Sequence, residues 1–188
     1  MAYYPDLSPY TYYLHPQNPT AIEKAYPNAL NIGWLDRAHP FPRSTTLPEE
    51  SLLKRLLAHT VLSVLMMRGI HDCHLCLENS TDLHGTSLFY EDQEIVMDNG
   101  EILVVGVDGI AFRAPTMLYH YITAHQYQPP DIFWKALLTS SPDIAYDLEE
   151  AAREPFQDKT FEALRNSARQ EARAFAIQLL NEPGLPGH

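Results

Sequence analysis

Asp98-Asn99-Gly100-Glu101-Ile102-Leu103-Val104-Val105-Gly106-Val107-Asp108-Gly109-Ile110-Ala111-Phe112-Arg113-Ala114 is the stretch on which the fold turns. Asp98-Asn99-Gly100 and Asp108-Gly109 are short turn signals whose backbone favours positive φ, with β-branched and apolar runs on either side. They predict an antiparallel β-meander over residues 86–114, with strands near 93–97, 101–107 and 110–114. Gly85 to Tyr90 offers a fourth strand.

Metal-ligand motifs flank this meander. Upstream stands Cys73-His74-Leu75-Cys76, a Cys-x2-Cys in which two thiolates can converge on one ion while backbone N–H groups point at the sulfurs. Downstream stands His120-Tyr121-Ile122-Thr123-Ala124-His125, a His-x4-His of the kind zinc fingers carry at a helix C-terminus. Five positions advance an ideal helix by about 140°, so the last turn must loosen or end near Ala124 for both rings to meet. The helix-breaking Tyr127-Gln128-Pro129-Pro130 just beyond favours that. The order of knuckle, strands and helix is that of zinc fingers, with 43 residues looped out between Cys76 and His120.

Cys73, Cys76, His120 and His125 are therefore the expected ligands of one structural Zn2+ ion. Four protein ligands leave no position for water, so such a site supports folding and not hydrolysis. A redox Cys-x2-Cys would need a helix N-terminus to depress a thiolate, and no clear helix follows this pair. His71, His74 and His84 are rival ligands, read as neighbouring or surface groups.

Further out, residues 48–68 predict an amphipathic helix. Thr46-Leu47-Pro48-Glu49 matches a capping box, Leu52, Leu53, Leu56, Leu57, Val61, Val64 and Leu65 recur at threes and fours, and Gly69 is the stop. Met66 and Met67 read as core filling. Thr116 to Ala124, opened by Pro115, and Asp131 to Thr139 read as short helices. Another starts at Ser141-Pro142-Asp143 and ends at Pro155. Asp158 caps a last helix with Phe161, Leu164, Ala168, Ala172, Phe175 and Leu179 on one stripe, ended by Glu182-Pro183-Gly184. Residues 1–45, dense in Pro and Tyr, predict an extended arm anchored by Trp34 and Leu35.

The reading is an α+β single domain over 1–188: an arm (1–45), a zinc-clasped core (46–140) and C-terminal helices (141–182). Its formal net charge of −11 repels phosphate backbones and anionic lipid, and favours a basic protein partner. Two cysteines three positions apart point to metal or redox chemistry in a reducing compartment, hence the cytoplasm. No basic-then-apolar leader opens the chain, and Val61 to Met67 is too short to span a bilayer. The sequence lacks His-Glu-x-x-His, the deaminase motif, phosphate loops and the Gly-x-Ser-x-Gly elbow. Arg153, Arg165, Arg169 and Arg173 alternate with acids and read as surface ion pairs.

The strings Ala114 to His125 with Tyr127 and Pro129-Pro130, Gly69 to Cys76, and Asn31 to Asp36 resemble an uncharacterised bacterial family, a domain of unknown function, over roughly residues 1–140. The resemblance implies a bacterial intracellular setting and supplies no activity. The function expected is a non-enzymatic protein-interaction module stabilised by structural zinc. The alternatives are a nucleic-acid-binding zinc module, which the charge disfavours, and a zinc hydrolase with an open metal position.

Overall fold

The computed structural model describes residues 3–12, 17–66, 71–76, 86–154 and 157–181. Along the chain these form α1 (Ala21–Ala25), β1 (Leu30–Asn31), α2 (Glu50–Val61), β2 (Ser87–Tyr90), β3 (Gln93–Val96), β4 (Glu101–Val105), β5 (Ala111–Pro115), α3 (Leu118–His125), α4 (Asp131–Thr139), α5 (Asp143–Ala152) and α6 (Lys159–Asn181). The class is α+β, with one three-stranded and one two-stranded sheet among the described residues.

β4 and β5 pair antiparallel in the register Glu101↔Pro115 to Val105↔Ala111, closing over the Asp108-Gly109 turn. Gly109 takes φ 79° there, and the Asp108 carboxylate accepts the Ile110 N–H at 3.0 Å. Every residue of β5 is buried, because β4 covers one edge and β1 pairs parallel with the other.

The expected continuous meander is corrected by this sheet. β3 does not join β4; it pairs with β2 in a separate hairpin across Glu91-Asp92, with Glu91 at φ 51°. The chain at Asp98-Asn99-Gly100 is spoken for elsewhere. Gly100 exchanges hydrogen bonds with Thr116, the Asp98 carbonyl accepts the His71 N–H, and Glu101 and Val64 exchange backbone bonds at 2.9 Å. A turn folding β3 onto β4 would break all of these.

The helices depart from expectation at their ends. α2 buries Leu53, Leu56 and Leu57 but stops at Val61, because Val64 leaves to bridge Glu101 and Leu65 turns left-handed at φ 51°. Gly69 lies outside the described residues. No capping box forms at Thr46; Glu49 is the N-cap and makes no side-chain bond. The capping box is instead at α1, where Thr20 and Glu23 exchange bonds. Met66 is exposed, not core; Met67 is outside the described residues. Pro115 ends β5, and α3 begins at Leu118. α4 keeps its expected bounds, and α5 starts at Asp143 as read, though Pro155 is not described.

Asp158 accepts the Thr160 N–H at the start of α6 as expected. Only the far half of its predicted stripe is buried: Phe175 and Leu179 join the main core, while Phe161 and Leu164 are 63% and 62% exposed. Ala176 packs with Ala58 of α2 and with Leu62, which caps that helix. Glu182-Pro183-Gly184 is not described. The segment before α2 runs across the sheet: Leu7 and Tyr10 donate backbone N–H groups to Asn31 and Ala29, and Trp34, 2% exposed, donates its indole N–H to the Arg113 carbonyl. Among the described residues no helix is long and apolar enough to cross a membrane.

Candidate metal centre

α3 is placed by what it buries. Leu118, Tyr119, Tyr121 and Ile122 face the core, which turns His120 and His125 toward the opposite rim. The helix ends at His125. Gln126 takes left-handed backbone (φ 60°, ψ 22°), and the N–H groups of Gln126 and Tyr127 both go to the Tyr121 carbonyl. These bonds span five and six positions, so the last turn is wider than an α-helix turn, as convergence of the two rings requires. Two anchors hold that end. Residues 42–44 pair with 126–128 through Gln128 N–H to the Pro42 carbonyl and Ser44 N–H to the Gln126 carbonyl. The Tyr127 hydroxyl donates to the Asp6 carboxylate at 2.8 Å.

The knuckle is a turn over residues 74–76, closed by the Cys76 N–H to the Cys73 carbonyl at 3.1 Å. The backbone N–H groups of Leu75 and Cys76 also donate to the Cys73 sulfur. Arg37 holds the turn from outside by donating its Nε–H to the His74 carbonyl.

These elements bring Cys73, Cys76, His120 and His125 together, with their four ligand atoms within 4.8 Å of one another. Cys73 Sγ lies 3.2 Å from His125 Nε2, and Cys76 Sγ lies 3.3 Å from His120 Nε2 and 3.2 Å from His125 Nε2. The two Nε2 atoms are 3.2 Å apart. A tetrahedron with metal–sulfur bonds of about 2.3 Å and metal–nitrogen bonds of about 2.05 Å has edges of roughly 3.3 Å (N···N), 3.6 Å (N···S) and 3.8 Å (S···S). The cluster is close to that frame and can hold a metal ion. Cys73 is buried, the histidines are half-buried and Cys76 is exposed, so the centre sits at the surface with one sulfur outward.

The electrostatics suit ligation. Burial, with His125 adding repulsion, pulls His120 down to about 4. Burial and the nearby Arg43 guanidinium also lower His125. Both rings are thus neutral at ordinary pH, with lone pairs for a cation. Burial pushes the metal-free Cys73 thiol up to about 11, against the depressed value a redox thiol needs. A divalent cation would reverse that by binding the thiolate.

Among the described residues no other His, Cys, Asp or Glu group gathers in this way. His71 precedes the knuckle and His74 lies within it, and neither contributes a ligand atom to the cluster. His84 lies outside the described residues. Sequence reasoning missed Arg37 and Asp6, which brace the centre, and read Tyr127 only as part of the helix break, not as the donor to Asp6. None has a local signal, since each acts across at least 37 positions.

A family model described as a domain of unknown function (DUF7919) matches residues 2–138, and the chain belongs to that family. The match ends within α4, so α5 and α6 lie beyond it. No curated protein and no solved structure matches the chain.

Proposed function

We propose that this member of the DUF7919 family is a non-enzymatic protein-interaction module whose fold is held by one structural zinc ion on Cys73, Cys76, His120 and His125. The observation that carries the reading is the near-tetrahedral convergence of two sulfurs and two imidazole nitrogens from segments 44 or more positions apart. Two thiolates and two imidazoles are a borderline-soft donor set that suits zinc over magnesium or calcium. With all four positions taken by protein, the ion would join the knuckle to α3, across both hairpins. Its binding energy, about 10–16 kcal/mol in small zinc domains, would enter directly as folding energy.

The partner we propose is a basic protein, drawn to the net charge of −11. The same charge weighs against nucleic acid. A bacterial, cytoplasmic setting belongs to the proposal as well; it rests on the motif resemblance and on two thiols that form no disulfide.

The test is metal content and thermal melting of protein purified without added metal. About one zinc per chain, and a melt that collapses on chelation and returns with zinc, is the expected result. A chelated protein with an unchanged melt and circular dichroism spectrum would refute the structural role.

A further inference from the structure

Beside the metal cluster lies a cleft of about 490 Å3, lined by Asp36, Arg37, His39, Phe41, Arg43, Leu75 and His125 among others. That volume falls in the range of small-molecule sites. Its walls come from three separate places: the 36–43 loop, the knuckle turn and the last residue of α3.

Its charge is opposite to that of the molecule. Four other arginines are neutralised by carboxylates: Arg113 lies on Glu101, and Arg165, Arg169 and Arg173 lie on carboxylates of α5. Arg37 and Arg43 make no carboxylate pair among the described residues. Arg37 spends only its Nε–H, on the His74 carbonyl, which leaves both Nη groups without an acceptor among the described residues. The Arg43 guanidinium lies over the Phe41 ring at 4.7 Å, and its N–H donors have no acceptor among the described residues. The one carboxylate among the described residues of the cleft is already engaged: Asp36 accepts the Ala38 and His39 N–H groups and lies 2.8 Å from His39 Nδ1. Tyr3 stacks on the other side of that imidazole, with centroids 3.7 Å apart, and fixes it. Phe41, Pro40 and Leu75 supply an apolar floor.

We propose that this cleft binds a small oxyanion, a phosphate or carboxylate group on a compact and partly apolar molecule, with Arg37 and Arg43 gripping the anion and Phe41 and Leu75 contacting its body. Guanidinium forks match both anions in a bidentate geometry, which lysine cannot reproduce. The inference rests on the cleft alone and does not depend on which metal fills the neighbouring cluster. An acidic peptide is the competing occupant, which the test distinguishes.

Calorimetric titration of the protein as purified with phenyl phosphate, benzoate and inorganic phosphate tests this and separates the two anion classes. Saturable binding of phenyl phosphate or benzoate with a Kd below about 10 mM is expected, with inorganic phosphate weaker for want of the apolar contact. R43Q and R37Q should each weaken it by about tenfold or more, and R43Q should do so with melting temperature and metal content unchanged. Should Arg37→Gln lose its metal because the His74 tether is gone, Arg43→Gln decides alone. Absence of binding by all three probes, or binding indifferent to Arg43→Gln, overturns the proposal. So does binding of an acidic peptide by a protein that refuses the small anions.

Discussion

Cys76 is the exposed member of the cluster and faces both histidine nitrogens, so it is the candidate ligand whose loss disturbs packing least. Cys76→Ser replaces a soft thiolate by a hydroxyl of similar shape. Zinc affinity should fall by about 100-fold or more, measured by competition with a chromophoric chelator. Unchanged affinity would mean that the sulfur is not a ligand. A second residue-scale case lies far from the metal. Glu101 and Arg113 are 0% and 1% exposed, paired at 2.6 Å, with the Tyr10 hydroxyl donating to the same carboxylate at 2.8 Å. Arg113→Met would strand a buried carboxylate, which burial already pushes above its ordinary range, and should cost about 3–5 kcal/mol in urea unfolding. The cluster of four side chains was legible in the sequence because Cys-x2-Cys and His-x4-His are local patterns. The Glu101–Arg113 pair was not, because charges inside an apolar strand announce nothing about where they point.

At the scale of elements, the sequence marks ends better than it marks pairings. Asp131 and Asp143 open α4 and α5 where Pro and Asp signals stand, and Asp108-Gly109 closes its hairpin as read. The single meander failed because two local signals were ranked wrongly. Asp98-Asn99-Gly100 has turn composition but is held by Thr116, Val64 and His71, whereas the true β2–β3 turn at Glu91-Asp92 carries no Gly or Asn. Thr20-Ala21-Ile22-Glu23 was a readable capping box, overshadowed by the prolines around it. The loop before α2 meets α3 at Gly33, at φ 68°, where an added Cβ would stand 2.4 Å from Leu118 Cδ1. Gly33→Ala should therefore cost roughly 2 kcal/mol or more, and because Leu118 is the first residue of α3 it should weaken zinc binding as well. Gly109→Ala is the control. It has a similar φ of 79° but nothing within 4 Å, so it should lose only about 1 kcal/mol and leave zinc affinity alone. Equal losses at the two positions would mean that crowding against α3 contributes nothing.

For the whole molecule, pH and the C-terminal helices give the decisive tests. His59 is fully buried on α2, and burial holds it at about 4 against an ordinary 6.5, only partly offset by the Leu103 and Ser140 carbonyls. In that window the unfolded chain binds a proton that the folded chain refuses, so stability falls as pH drops from 6.5 toward 4. Between pH 7 and pH 5 this one group should remove about 2 kcal/mol. Glu101 and Glu149, both raised by burial, act with the opposite sign and lose stability as pH rises through their range. The difference between wild type and His59→Gln in urea midpoints at the two pH values isolates the histidine; no difference would exclude it. The single-domain reading depends on α6, which the family match does not reach. Leu179 is 0% exposed and Phe175 6%, and both belong to the core that also contains Leu56, Ile102 and Phe133. If α6 completes that core, Leu179→Ala should cost about 2–5 kcal/mol. Fluorescence from Trp34 and Trp134, both outside α6, should then shift together with the circular dichroism signal in one transition. A helix signal that melts first, with tryptophan fluorescence at its original midpoint, would make α6 an appendage on a self-sufficient domain.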